Sequence, residues 1–113
     1  MNEKVNSVSG SGEYADAARF GISPEAVSQI RKIARRHNVS RLLLFGSRAR
    51  GDFKRASDID LAVEGGDFAA FALDVEEETS TLLEFDFVDL NSTVQAELLE
   101  EIYRDGKLIY EKI

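Results

Sequence analysis

Two neighbouring segments of opposite hydrophobic pattern constrain this chain more than any other feature. Leu42, Leu43, Leu44 and Phe45 are apolar at every position and stop at Gly46, which fits a central strand covered on both faces. From Asp58 to Val63 the pattern becomes strict alternation, with Ile59, Leu61 and Val63 on one side and Asp58, Asp60 and Ala62 on the other. That is a strand with one polar face. With 113 residues and 43% hydrophobic content, the chain can bury one modest core, so a single domain is expected.

The flanking segments supply helices. Ser23 and Pro24 suit an N-cap and a first helical residue, and Val27, Ile30, Ile33 and Ala34 repeat at helical spacing to about His37. Asp67 can cap a second helix carrying Phe68, Phe71, Ala72, Val75, Leu82 and Leu83. A third strand is expected from about Glu84 to Leu90. Ser92 and Gln95 then have capping-box spacing before a helix with Val94, Leu98 and Ile102, which Gly106 is placed to end. Residues 107–112 form a short strand or a packed tail. Residues 1–20, rich in Ser, Gly, Asn and charge, read as a flexible N-terminal arm, leaving residues 21–113 as the domain.

Composition excludes several classes. The chain has no cysteine, hence no disulfide framework and no thiolate metal site. No apolar stretch approaches the roughly 18 residues of a membrane span, and Met1 to Tyr14 is too polar for a signal peptide, so a soluble, cytoplasmic protein is expected. The net charge of −7 argues against a protein that coats extended nucleic acid. Nine basic side chains nevertheless fall within residues 31–55, against the single acid Asp52. A local positive region in an acidic chain suits a small polyanion such as a triphosphate.

The chemistry concentrates in Gly46-Ser47-Arg48-Ala49-Arg50-Gly51 and in Ser57-Asp58-Ile59-Asp60. A Gly-Ser turn leaving a buried strand admits phosphate oxygens to backbone N–H groups and a hydroxyl. Period-two geometry puts both carboxylates of Asp58-x-Asp60 on one face. At about 4 Å such a pair repels by roughly 4 kcal/mol at an effective dielectric of 20. A divalent cation removes that cost, and magnesium accepts a few carboxylates while keeping room for water and phosphate. A solvated edge strand is the plainer reading of the pair alone. Arg48 and Arg50 have guanidiniums suited to phosphate, Arg48 being the better placed. His37 suits the end of its helix better than a metal, since no second imidazole or thiol exists.

The spacing Gly-Ser, ten residues, Asp-x-Asp resembles the DNA polymerase β-like nucleotidyltransferase superfamily. The run FGSRARGDFKRASDIDLAV is similar to its minimal nucleotidyltransferase branch, over about residues 22–112. The resemblance implies an α/β (α+β) nucleotidyltransferase fold, a small mixed β-sheet with helices packed on one face. It implies that Gly46 admits the triphosphate, that Ser47 binds phosphate, with Arg48 the added nucleotide-binding candidate from its guanidinium, and that Asp58 and Asp60 hold two magnesium ions, manganese being equally admissible.

The family also has a third carboxylate on a neighbouring strand. In Phe85-Asp86-Phe87-Val88-Asp89, alternation sends Asp86 opposite to the phenylalanines and leaves Asp89 on their side. Asp58 and Asp60 likewise oppose Ile59 and Leu61, so Asp86 is the expected third metal ligand and catalytic residue. Members of this branch transfer a nucleotidyl group, most often AMP from ATP, to a hydroxyl of a protein or small molecule. They are commonly encoded with helical-bundle proteins, in some cases as antitoxins of HEPN-type ribonucleases. So short a chain, with no evident acceptor domain, is expected to work with such a partner or as a homodimer. The competing expectation is a non-catalytic interaction protein that binds nucleotide.

Overall fold

The computed structural model describes residues 17–113. The expectation of an arm therefore lies outside the described residues up to residue 16. Ala17–Phe20 is a 3-10 turn, and Phe20 is buried in the main core, so ordered packing starts ahead of residue 21. Helix α1, Pro24–Arg36, follows with the Ser23 hydroxyl accepting from the Ala26 N–H at 3.1 Å. Its buried residues Ala26, Val27, Ile30, Ile33 and Ala34 form one stripe.

Strand β1, Arg41–Phe45, leads directly into the short helix α2, Gly46–Arg50. Then come β2, Ile59–Glu64; α3, Phe68–Glu78; β3, Phe85–Asp89; α4, Ala96–Asp105; and β4, Lys107–Glu111. The sheet order is β3-β2-β1-β4. β1 runs antiparallel to β2 and β4, whereas β2 and β3 are parallel, the connection through α3 being of the length a parallel pair needs. The sheet is thus mixed and the class α+β, as expected.

One part of the expected arrangement needs correction: the helices do not share one face. Leu42, Leu44, Ile59, Leu61, Val63 and Ile109 pack with the stripe of α1 and with Phe71 and Val75 of α3. Leu43, Phe45 and Ala62, which alternate with them, pack instead with Ile102 of α4, flanked by Leu98 and Val88. Because β1 is apolar on both sides, its second face also needs a cover, and α4 provides it. No described helix is long and apolar enough to cross a membrane.

Two helix limits also differ from the sequence reading. α3 stops at Thr79, whose hydroxyl donates to the Val75 carbonyl at 2.7 Å, so Leu82 stands fully exposed. The Ser92 hydroxyl donates to the Asp89 carbonyl at 3.1 Å instead of capping a helix, and α4 begins after Gln95, with no side-chain cap. At the other end His37 Nε2 lies 2.7 Å from Asp74, tying α1 to α3.

Candidate active site

β2 and β3 set two aspartates side by side. Their parallel register pairs Asp60 with Asp86, Leu61 with Phe87 and Val63 with Asp89, and partners in a ladder point to the same face. Phe85 and Phe87 stack on each other with centroids 5.6 Å apart and pack against the main core, so Asp86 faces the α4 side, together with Asp60. Asp89 lies on the other face. Its carboxylate accepts from the backbone and side-chain N–H groups of Asn91, both at 2.9 Å, and shapes the turn leaving β3. Asp58 sits just ahead of β2, exposed to solvent.

Asp60 is half-buried, and across the β1–β2 pairing it stands opposite Phe45. Gly46 follows immediately, with φ 76°, and a Cβ built on it would come within 2.9 Å of the Asp60 carboxyl carbon. The glycine therefore serves two purposes: it turns the chain out of β1 through a left-handed conformation and leaves the space that this carboxylate occupies. Burial first, and then the negative charges of Asp86, Asp58 and Glu101, push the Asp60 carboxyl up to about 6, against the opposing charge of Arg50.

Arg48 was expected at a phosphate, but its guanidinium turns inward and is 1% exposed. Nε and Nη2 donate to the Ser57 carbonyl at 3.0 and 2.8 Å, Nη2 also to that of Arg55 at 3.0 Å, and Nη1 to those of Phe20 and Gly21 at 2.9 and 3.3 Å. The Phe53 ring lies beneath it, 4.8 Å from Cζ to centroid. Burial lowers its pKa, while Asp60 and Asp58 oppose the shift. The physical reason is local: the segment between α2 and β2 has no strand partners, and Arg48 supplies donors for its carbonyls. The same bonds fix the backbone that delivers Asp58. Sequence reasoning missed this positioning role, because the acceptors are backbone carbonyls, which leave no signal in the side-chain pattern.

The donor set offers carboxylate oxygens alone, which suits a hard divalent cation. As the side chains stand, no group of three among the described residues closes around a cation. Only the secondary part of the rise at Asp60, from the negative charges of Asp86, Asp58 and Glu101, is one that a nearby cation would offset.

Residues 28–113 match the family described as polymerase beta, nucleotidyltransferase. Among solved structures, a toxin–antitoxin with AMP-PNP is 28% identical, with a TM-score of 0.57 over 76% of this chain and 73% of that one. A mutant of the toxin–antitoxin MntA-HpeT, with two Asp→Glu changes two positions apart, is 26% identical, with a TM-score of 0.56 over 76% and 73%. A protein from Sulfolobus solfataricus assigned as a nucleotidyltransferase shares the fold at 20% identity, with a TM-score of 0.53 over 93% and 94%. No curated protein matches the chain. With the family match spanning most of its length and the expected carboxylate-bearing strands in place, this chain belongs to the polymerase β nucleotidyltransferase family.

Proposed function

We propose that the chain transfers an adenylyl group from ATP to a hydroxyl of a partner protein, as the antitoxin of a toxin–antitoxin pair, with Asp58, Asp60 and Asp86 holding two magnesium ions. The observation that carries this reading is the pairing of Asp60 with Asp86 beside the space left by Gly46. The toxin–antitoxin relatives, one of them with a nucleotide analogue, support the substrate and the partner.

Each residue has a physical task. Gly46 lets backbone approach the triphosphate, and the Ser47 hydroxyl, half-buried at the start of α2, donates to a phosphate oxygen. Asp58 and Asp60 would hold the divalent cation that offsets their own charge and that of the triphosphate. Asp86, exposed at the strand edge, faces the side from which an acceptor hydroxyl approaches and helps it lose its proton. Bound magnesium supplies Lewis-acid stabilisation of the phosphates and of the departing pyrophosphate. The helical-bundle partner, of HEPN type, would supply the acceptor and the missing wall, and orienting two substrates contributes several kcal/mol.

The test is transfer of label from α-labelled ATP with magnesium, alone and with the neighbouring helical-bundle protein, read by intact mass on both chains. An added mass of AMP on the partner, lost in Asp60→Asn, is expected. Rapid transfer to a free small molecule, indifferent to the partner, would reject the protein acceptor.

A further inference from the structure

Strand β3 lies at the edge of the sheet and pairs only with β2 among the described residues. The Ile59 N–H donates to the Glu84 carbonyl at 2.9 Å and the Leu90 N–H to the Val63 carbonyl at 2.8 Å. By the alternation of a parallel ladder, the even-numbered residues of β3 therefore spend their backbone groups on β2, and the N–H and C=O of Phe85 and Phe87 point away from the sheet. No described residue bonds them. The side chains along this edge differ by face. On one, the half-buried rings of Phe85 and Phe87 continue into Phe68 of α3, whose centroid is 6.4 Å from that of Phe87. On the other stand exposed Asp86 and, just before the strand, exposed Glu84. A cleft bounded by Glu76, Thr79, Leu82 and Phe85 opens where the strand begins.

We propose that the outer edge of β3 is where the acceptor protein docks, by adding an extended segment as a further strand antiparallel to β3, with a hydroxyl side chain opposite Asp86. The inference rests on the nucleotidyltransfer reading above and names how its acceptor is held. Unpaired strand edges are templates for such addition: main-chain bonds hold the segment and alternate side chains select it. With the guest bonded to Phe85 and Phe87, Asp86 falls at a non-hydrogen-bonded position, where facing Cα atoms approach to about 4.5 Å. The guest residue opposite then points to the face that Asp86 shares with Asp60. Its hydroxyl oxygen bonds the α-phosphorus, the bond to the departing pyrophosphate breaks, and the hydroxyl proton leaves to water. The guest residues on either side face the phenylalanines and are apolar, and the one opposite Glu84 is basic. A second copy of this chain is a poor guest, since pairing along the same edge would bring Glu84, Asp86 and Asp89 of both copies together.

The test uses the full, isotope-labelled chain and the synthetic peptide acetyl-Lys-Val-Thr-Val-Lys-amide at about millimolar concentration, followed by amide hydrogen exchange. Exchange at Phe85 and Phe87 should slow severalfold, with less change at Asp86 and Val88, whose amides already bond β2. The slowing should vanish when both valines of the peptide are N-methylated, which removes their donors to the edge, and weaken severalfold in Glu84→Gln. With α-labelled ATP and magnesium, label should enter the threonine peptide and not its N-methylated form. Exchange unaffected by the peptide, or slowed equally by the N-methylated one, would overturn the docking edge. So would slowing at Phe85 and Phe87 that grows with protein concentration alone, which would mark a contact between copies. Slowed exchange without transfer of label would uphold the docking edge and count instead against the nucleotidyltransfer reading.

Discussion

Gly46 and Asp60 occupy one volume: the hydrogen of the glycine faces the carboxyl of the aspartate, with no space for a methyl group between them. Gly46→Ala would add both a left-handed backbone strain and a clash. We expect a loss of about 1–3 kcal/mol in urea denaturation, accompanied by loss of metal-dependent nucleotide binding as Asp60 is displaced. An alanine variant with wild-type affinity would separate this contact from the site.

The raised Asp60 carboxyl has a defined pH signature. Between about 4, where an unfolded aspartate titrates, and about 6, the folded chain holds a proton that the unfolded chain has released. Stability therefore falls as pH rises through this window. In chelator, Asp60→Asn should be more stable than wild type at pH 7.5, by on the order of 1 kcal/mol after allowance for screening at a half-exposed site. The difference should shrink towards zero below about pH 4. Thermal melts from pH 4 to 8 decide it; a wild type more stable than the variant throughout would show that folding does not penalise the ionised Asp60.

Arg48 predicts a stability effect larger than its chemistry suggests. Arg48→Met leaves the carbonyls of Phe20, Arg55 and Ser57 without their donor, at a cost of about 3 kcal/mol or more. Arg48→Lys should recover only part of this, since one ammonium cannot span the same acceptors. Chemical denaturation of the two variants gives the comparison.

The two aspartates of β3 should behave differently. Asp86→Asn is expected to slow the chemical step by at least about a hundredfold with little change in melting temperature. Asp89→Asn should leave turnover nearly intact and loosen the turn at Asn91. Single-turnover rates measure the ranking, and its reversal would place the active carboxylate on the opposite face of the sheet.

Most of the sheet was legible because burial writes itself into period: the unbroken Leu42–Phe45 run and the alternation from Asp58 to Val63 correspond to strands with two covered faces and one polar face. The same run called for cover on both faces of the strand, yet the helices were expected on one; α4 supplies the second cover. The limits of α3 and α4 were less legible. Leu82 and Leu83 fit the helical repeat, yet Thr79 ends the helix by returning its hydroxyl to Val75. Ser92 and Gln95 have the right spacing for a cap, but the turn after β3 claims the serine. Burial of Arg48 was hidden for a different reason: its partners are backbone carbonyls, which no side-chain pattern records.

The parallel pairing of β2 with β3 has a consequence for how the site can vary. Asp60 and Asp86 come from segments far apart in the chain, yet their separation is set by the spacing of adjacent strands, about 4.8 Å, and not by the chain that joins them. Within residues 65–84, α3 keeps Phe71 and Val75 in the main core and must stay, but the loop around the exposed Leu82 can be lengthened while the two carboxylates keep their distance. The crossover is thus the natural place to graft a recognition element onto this enzyme without retuning its chemistry.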